Sequence, residues 1–352
     1  MTHNYLLKVV KLSIQFAVVI LVTLPVLAYE ITANHFRNSY FRGFVVADVK
    51  YGIRSKEDLD ALEKTGANLA RIFIVLKRCE TCTKYDLPKI EIDTLDAMVR
   101  ELAIRQIYAL PVFEPADKLT SFWKSDSLQK SYIEHWRMLA TRYRNVTSVA
   151  GFDLMNEPVP PGRTYADRQS TWLAYAEMLS REIRTIDPNR VLIVESAPDA
   201  TPTSFENLKP LPLDNIVYSF HSYQPIALTH QGVMKNFPNP ATYGSSVSMD
   251  FNRQDLHKFL DTVVAFAAKY DVPILVGEFS CVRWAPQGSA LRYASDSIDY
   301  FESKGWSWIY NDFRAWPGWD AEIASVDRTA TKRSLAAPVM NLLRDRFRRN
   351  TK

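Results

Sequence analysis

Val149-Ala-Gly-Phe-Asp-Leu-Met-Asn-Glu-Pro158 and Asp187-Pro-Asn-Arg-Val-Leu-Ile-Val194 bracket the stretch that decides the fold. Val149–Met155 is a short apolar run of strand length. Further on, Trp172, Ala176, Leu179, Ile183 and Ile186 recur at helical spacing and share one face. Asp187-Pro188 stops that helix, because a proline drives the residue before it out of the α region. Arg190–Val194 then begins another apolar run. Strand, helix, strand is the repeating unit of a parallel α/β sheet.

The same alternation extends in both directions. Runs rich in β-formers lie at Gly43–Ala47, Asn68–Leu76, Gln106–Phe113, Asn215–Phe220, Val272–Val276 and Trp306–Tyr310. Between them, Leu95, Met98, Val99 and Leu102 mark one helical face. Leu256, Phe259, Leu260, Val263 and Ala267 mark another, and Leu291, Ala294, Ile298 and Phe301 a third. Asp271-Val272-Pro273 ends a helix as sharply as Asp187-Pro188 does. The helix expected near Ser204–Leu208 is only faintly written. Eight strands alternating with helices imply an α/β fold closed as a (β/α)8 TIM barrel, a single domain. An open doubly wound sheet is the alternative, but the chain has only 11 Gly and no G-x-G-x-x-G turn after its first strand. In a barrel, functional side chains belong on the loops that follow the strands.

Composition agrees with one packed body. Apolar residues make up 47% of the 352 and charged ones 23%, enough for a core and too apolar for global disorder. Residues 1–11 are polar to mildly basic, and an apolar run follows from Leu12 to Leu27. Val26-Leu27-Ala28 then supplies small residues at a cleavage site, so 1–28 is expected to be a signal peptide and 29–352 the barrel domain. The run is short for a bilayer span of about 20 residues, which makes an uncleaved anchor the competing reading. The expected location is secreted or periplasmic, with no membrane association after signal removal. Loss of Lys8 and Lys11 lowers the formal charge from +4 to +2, with both signs interspersed, so no nucleic-acid partner is expected. In an exported chain Cys79 and Cys82 favour a short-range disulfide over half a zinc site, and Cys281 is left as a buried thiol.

Two carboxylates stand at strand ends. Glu157 follows the fourth strand and Glu278 the seventh, in Pro273-Ile-Leu-Val-Gly277-Glu278-Phe279. A pair of carboxyl groups facing each other across a barrel mouth suits glycoside cleavage. One donates a proton to the leaving oxygen while the other meets positive charge developing on carbon.

These residues also resemble a known family. Asn156-Glu157-Pro158 and Gly277-Glu278-Phe279 are similar to the signature of family 5 glycoside hydrolases, the cellulase-type members of a large retaining clan of (β/α)8 barrels. Gly66-Ala-Asn68-Leu-Ala-Arg71-Ile72 resembles that family's second-strand Arg motif, and His221-Ser-Tyr223-Gln-Pro225 its sixth-strand His-x-Tyr. The eighth strand, Trp306 to Trp316, has the family's aromatic character. The resemblance implies Glu157 as general acid/base and Glu278 as nucleophile. It places Asn156 on the sugar 2-hydroxyl, Arg71 beneath the nucleophile to keep it ionised, Tyr223 in a hydrogen bond to Glu278, and His221 along the subsite of the cleaved sugar.

Two departures concern substrate rather than chemistry. Many members carry a His at the end of the third strand, where this chain has Glu114. Asn311 occupies the eighth-strand place of a sugar-stacking Trp, so the platform is sought at Trp308, Trp284, Trp316 or Trp319. The expected function is a retaining β-glycosidase that hydrolyses a β-linked glucan or mannan by double displacement. A non-catalytic glycan-binding barrel and a transglycosidase are the alternatives. The six His are scattered and no H-E-x-x-H appears, so no metal and no cofactor are expected. The expected partner is a carbohydrate substrate and the expected state a monomer.

Overall fold

The computed structural model describes residues 30–46, 55–237, 240–244 and 250–350. The expected signal segment, Tyr29 and Ala47, the last residue of the expected first strand, lie outside the described residues. Nine strands follow in chain order: β1 Arg42–Val46, β2 Leu69–Arg78, β3 Tyr85–Asp86, β4 Tyr108–Pro115, β5 Phe152–Asp153, β6 Leu192–Glu195, β7 Ile216–Ser222, β8 Ile274–Phe279 and β9 Ser307–Phe313. All except β3 pair in parallel, and β1 pairs with both β2 and β9, so eight strands close into a barrel. β3 is a two-residue antiparallel extension on the far end of β2, and Cys79 and Cys82 form a disulfide in the turn between them.

The helices are α1 Lys56–Thr65, α2 Lys89–Ile104, α3 Asp126–Tyr143, α4 Tyr165–Arg184, α5 Ile226–Thr229, α6 Arg253–Tyr270, α7 Ser289–Ser303 and α8 Pro338–Phe347. Side-chain caps start several of them. Thr164 accepts from Asp167 N–H at α4, and Asn252 accepts from Gln254 and Asp255 N–H at α6. The faintly written fifth helix is a 3-10 turn, Pro202–Asn207.

Side-chain alternation divides the core into two layers. Val45, Leu69, Leu110, Val191, Ile193, Val217, Leu275 and Ile309 fill the barrel interior. Their strand neighbours, among them Val46, Ala70, Leu192, Val194, Val276 and Trp308, pack outward against the helices. Closure also needs one close backbone approach: a Cβ on Gly43 would lie 1.9 Å from Leu69 O, so β1 can meet β2 there only without a side chain.

Candidate active site

The inward parity of Leu69 on β2 carries two residues on to Arg71, which is wholly buried at the upper end of the barrel. Its guanidinium uses every edge. Nε donates to Asp153 Oδ2 at 2.8 Å, Nη1 to Glu278 Oε1 at 2.7 Å, and Nη2 to Glu195 Oε1 at 2.7 Å and Asn156 Oδ1 at 3.1 Å. Burial opposes its charge, but the three carboxylates outweigh burial and hold the guanidinium more firmly protonated than usual.

Glu278 is aimed by an irregularity. Strict alternation from the inward Leu275 would turn it outward, but the pairing register shifts between Val276 and Phe279 and brings it to the mouth. There its second oxygen accepts from Tyr223 OH at 2.7 Å and Asn311 Nδ2 at 2.9 Å. Asn311 also donates to Tyr223 OH at 2.6 Å. Burial and then the Glu278 charge push the Tyr223 hydroxyl well above its usual range, so it stays a neutral donor.

Glu157 follows β5 with φ at +44°, and its side chain is about one-third exposed (34%), against 7% for Glu278. Its Oε1 lies 3.0 Å from His221 Nδ1, and Lys118 Nζ stands 3.8 Å from Oε2. Burial pushes the Glu157 carboxyl upward, but His221 and then Lys118 outweigh it and bring it down to about 2. His221 moves the opposite way. Burial disfavours its charged form, yet Glu278, Glu195 and Glu157 raise it well above its ordinary value. One acceptor or donor atom each from Glu157, His221 and Glu278 lies within 4.8 Å of the others. The spacing would admit a cation, but the Glu157 and Glu278 oxygens already face protein donors.

Asp153 and Glu195, absent from the expected site, are wholly buried here, each the last residue of its strand rather than the residue that follows it. Burial pushes the Asp153 carboxyl up to about 7 against the pull of Arg71. The signal for Glu195 was parity, since it lies two residues beyond the inward Ile193 on β6. Lys118 was also missed. It donates to Asn156 O at 3.0 Å and pairs with Glu114 at 2.8 Å, so Glu114 touches the Asn156 turn only through a lysine.

The aromatic candidates separate. Trp308 is wholly buried on the outer face of β9, stacked on Phe347 with centroids 5.5 Å apart, so the expectation that it forms a sugar platform is corrected. It is one residue out of phase with the inward Ile309 and Asn311. Trp319 instead stacks on Tyr223 with centroids 5.5 Å apart, Trp316 meets Trp319 at 4.8 Å, and Trp284 meets Trp316 at 5.7 Å. These half-buried rings form a continuous aromatic wall from the Glu278 partner outward. Buried Arg283 ties its loop down by donating to the carbonyls of Pro317 (2.8 Å), Asp327 (2.7 Å) and Arg328 (3.1 Å), among others. Cys281 is a buried thiol that burial holds protonated.

A parallel barrel with two carboxylates gathered beside a buried arginine at its mouth defines a glycoside hydrolase. The chain belongs to the cellulase family, glycosyl hydrolase family 5, whose model matches residues 32–316. It is 26% identical to Endoglucanase C of Acetivibrio thermocellus (strain ATCC 27405), over 74% of this chain and 77% of that protein. It is 27% identical to an endoglucanase of Paenibacillus polymyxa, over 70% of this chain and 68% of that one. Among solved structures it is similar to Thermotoga maritima Cel5A in complex with cellobiose, with a TM-score of 0.74, 18% identity, and 89% and 99% of the two chains covered. It is also similar to the cellulose synthase subunit Z of Clostridioides difficile, with a TM-score of 0.69, 19% identity, and 86% and 99% covered.

Proposed function

We propose that the protein is a retaining endo-acting β-glucanase in which Glu157 is the general acid/base and Glu278 the nucleophile. The observation that carries this reading is the gathering of Glu157 and Glu278 oxygens within 4.8 Å of each other around His221. That spacing suits the roughly 5–5.5 Å carboxyl separation of covalent double displacement, and leaves no room for the water that inversion needs. The preference for glucan over mannan rests on the endoglucanase relatives.

Glu278 attacks the anomeric carbon as the bond to the leaving oxygen breaks, and that oxygen keeps the bonding electron pair and takes a proton from Glu157. Water then attacks the same carbon, gives its proton to Glu157, and frees Glu278. Arg71, Tyr223 and Asn311 donate to Glu278 before it attacks, so its charge is already oriented when positive charge develops opposite. Asn156, whose Oδ1 accepts from Arg71, bonds the sugar 2-hydroxyl in this reading. The wall of Trp284, Trp316 and Trp319 supplies flat apolar faces for adjoining sugars. We further propose export by residues 1–28, a catalytic domain spanning 29–352, and a monomeric enzyme.

The test is a panel of β-glucans, mannans, xylans and aryl glycosides run on wild type and on Glu157→Gln. Wild type should cleave a β-glucan internally. Glu157→Gln should lose roughly 10²–10⁴ in rate on glucan. On an aryl glycoside with an activated leaving group the loss should shrink, and azide should restore turnover. Full loss on every substrate without azide rescue would remove Glu157 from this role.

A further inference from the structure

We propose that Glu195 is the positioning residue for the proton-transfer half of the site, pinning the backbone of Glu157 and fixing which nitrogen of His221 faces it. The inference deepens the function proposed above and rests on Glu157 being the acid/base.

Glu195 ends β6, points inward in phase with Ile193, and is wholly buried. Its two oxygens divide the work. Oε2 accepts the Glu157 backbone N–H at 2.7 Å. Oε1 accepts from Arg71 Nη2 at 2.7 Å and lies 3.2 Å from His221 Nε2, within ion-pair distance though not aligned as a hydrogen bond. The backbone contact matters because Glu157 stands at φ +44°, a left-handed conformation that residues with a Cβ disfavour. The Glu195 carboxylate tethers the peptide group that holds the acid/base in that conformation.

The second contact sets a tautomer. Around His221 stand Glu157 at 3.0 Å and Glu278 at 3.8 Å on the Nδ1 side, and Glu195 on the Nε2 side. Arg71 bridges Glu195 and Glu278 as well as Asp153, Lys118 stands beyond Glu157, and the Tyr223 ring lies edge-on to the imidazole. Burial pushes the Glu195 carboxyl up, but His221, Arg71 and the Glu157 N–H hold it below the usual carboxylate range. An ionised carboxylate can only accept, so Nε2 keeps its proton and Nδ1 is the nitrogen left to gain or lose one. Nδ1 faces Glu157. When Glu157 is ionised, Nδ1–H donates to it; when Glu157 is protonated, its O–H donates to Nδ1. The same contact serves the acid step and the base step, and a proton gained from water in the second replaces the one given to the leaving oxygen in the first.

Glu195→Gln keeps the shape, removes the charge behind Nε2, and turns an NH2 either toward the Glu157 N–H or toward Arg71 Nη2 and His221 Nε2. On a gluco-oligosaccharide, which needs leaving-group protonation, kcat/KM should fall ~10-fold or more beyond any fall on a dinitrophenyl β-glycoside. The alkaline limb of the oligosaccharide pH profile should move to lower pH. Removing a negative charge makes both His221 and Glu157 release protons more readily, so the shift has one sign. Equal losses on both substrates with an unmoved limb would mean that Glu195 only props Arg71, and would overturn the proposal. Nitrogen-15 NMR of histidine-labelled wild type gives a second reading that does not depend on the variant folding. Nε2 should remain protonated across the whole active pH range, and an unprotonated Nε2 would overturn the proposal. A wild type inactive on every β-glycan and aryl glycoside would instead defeat the function assignment, and the NMR result would still decide the Glu195–His221 pairing.

Discussion

Arg71 shows how much one side chain can organise. Its planar fork reaches Asp153, Asn156, Glu195 and Glu278 at once, so it joins Glu278 to the strand that Glu157 follows. A lysine at the same place would retain the charge on a single nitrogen that cannot span these four acceptors. We therefore expect Arg71→Lys to lower kcat by roughly 10²-fold, the scale on which small misplacements of reacting groups act. Circular dichroism should stay native while steady-state kinetics on glucan record the loss; a wild-type kcat would reduce Arg71 to a strut. The gathering of Arg71, Glu157, Glu278, Asn156, His221 and Tyr223 at one end of the barrel was legible because each belongs to a short motif at a strand end. Asp153 and Glu195 belong to no such motif, and a search restricted to the residue after each strand passes over side chains still inside it.

At the level of single elements, period-two alternation decides more than residue type. On β9 the inward series runs through Ile309 to Asn311, which leaves Trp308 facing Phe279 and Phe347 under the helices. Counting parity from Ile309 would have rejected Trp308 as a platform, and counting it from Ile193 would have found Glu195. Parity has its own limit on β8, where the register shift that brings Glu278 inward leaves no mark in the sequence beyond Gly277. That glycine has a definite purpose. A Cβ there would lie 2.7 Å from Ser219 Oγ and 3.2 Å from the His221 ring. Gly277→Ala should thus displace His221 from Glu157, cost about 1–3 kcal/mol of stability by overpacking, and lower kcat more than it raises KM. Thermal unfolding and kinetics measured together would check this, and an unchanged kcat would show that β7 yields without moving the imidazole.

For the whole molecule, eight apolar runs separated by helical periods were enough to specify a closed barrel, because only closure lets every parallel strand pair on both sides. The aromatic wall was less legible, since its rings come from loops whose course follows from tertiary ties such as Arg283 rather than from any local period. The expected export signal, residues 1–28, lies outside the described residues. Processing after Ala28 predicts a mature chain beginning at Tyr29. N-terminal sequencing of protein from outside the cytoplasm should find that residue, whereas a full-length, membrane-retained product would favour the anchor. Double displacement by Glu157 and Glu278 fixes the stereochemistry of the first product. Proton NMR of a cello-oligosaccharide digest, followed from the first minutes before mutarotation, should show the β-anomer of the new reducing end appearing first. Initial appearance of the α-anomer would contradict the account, because a single displacement would then have occurred and Glu278 could not be the nucleophile.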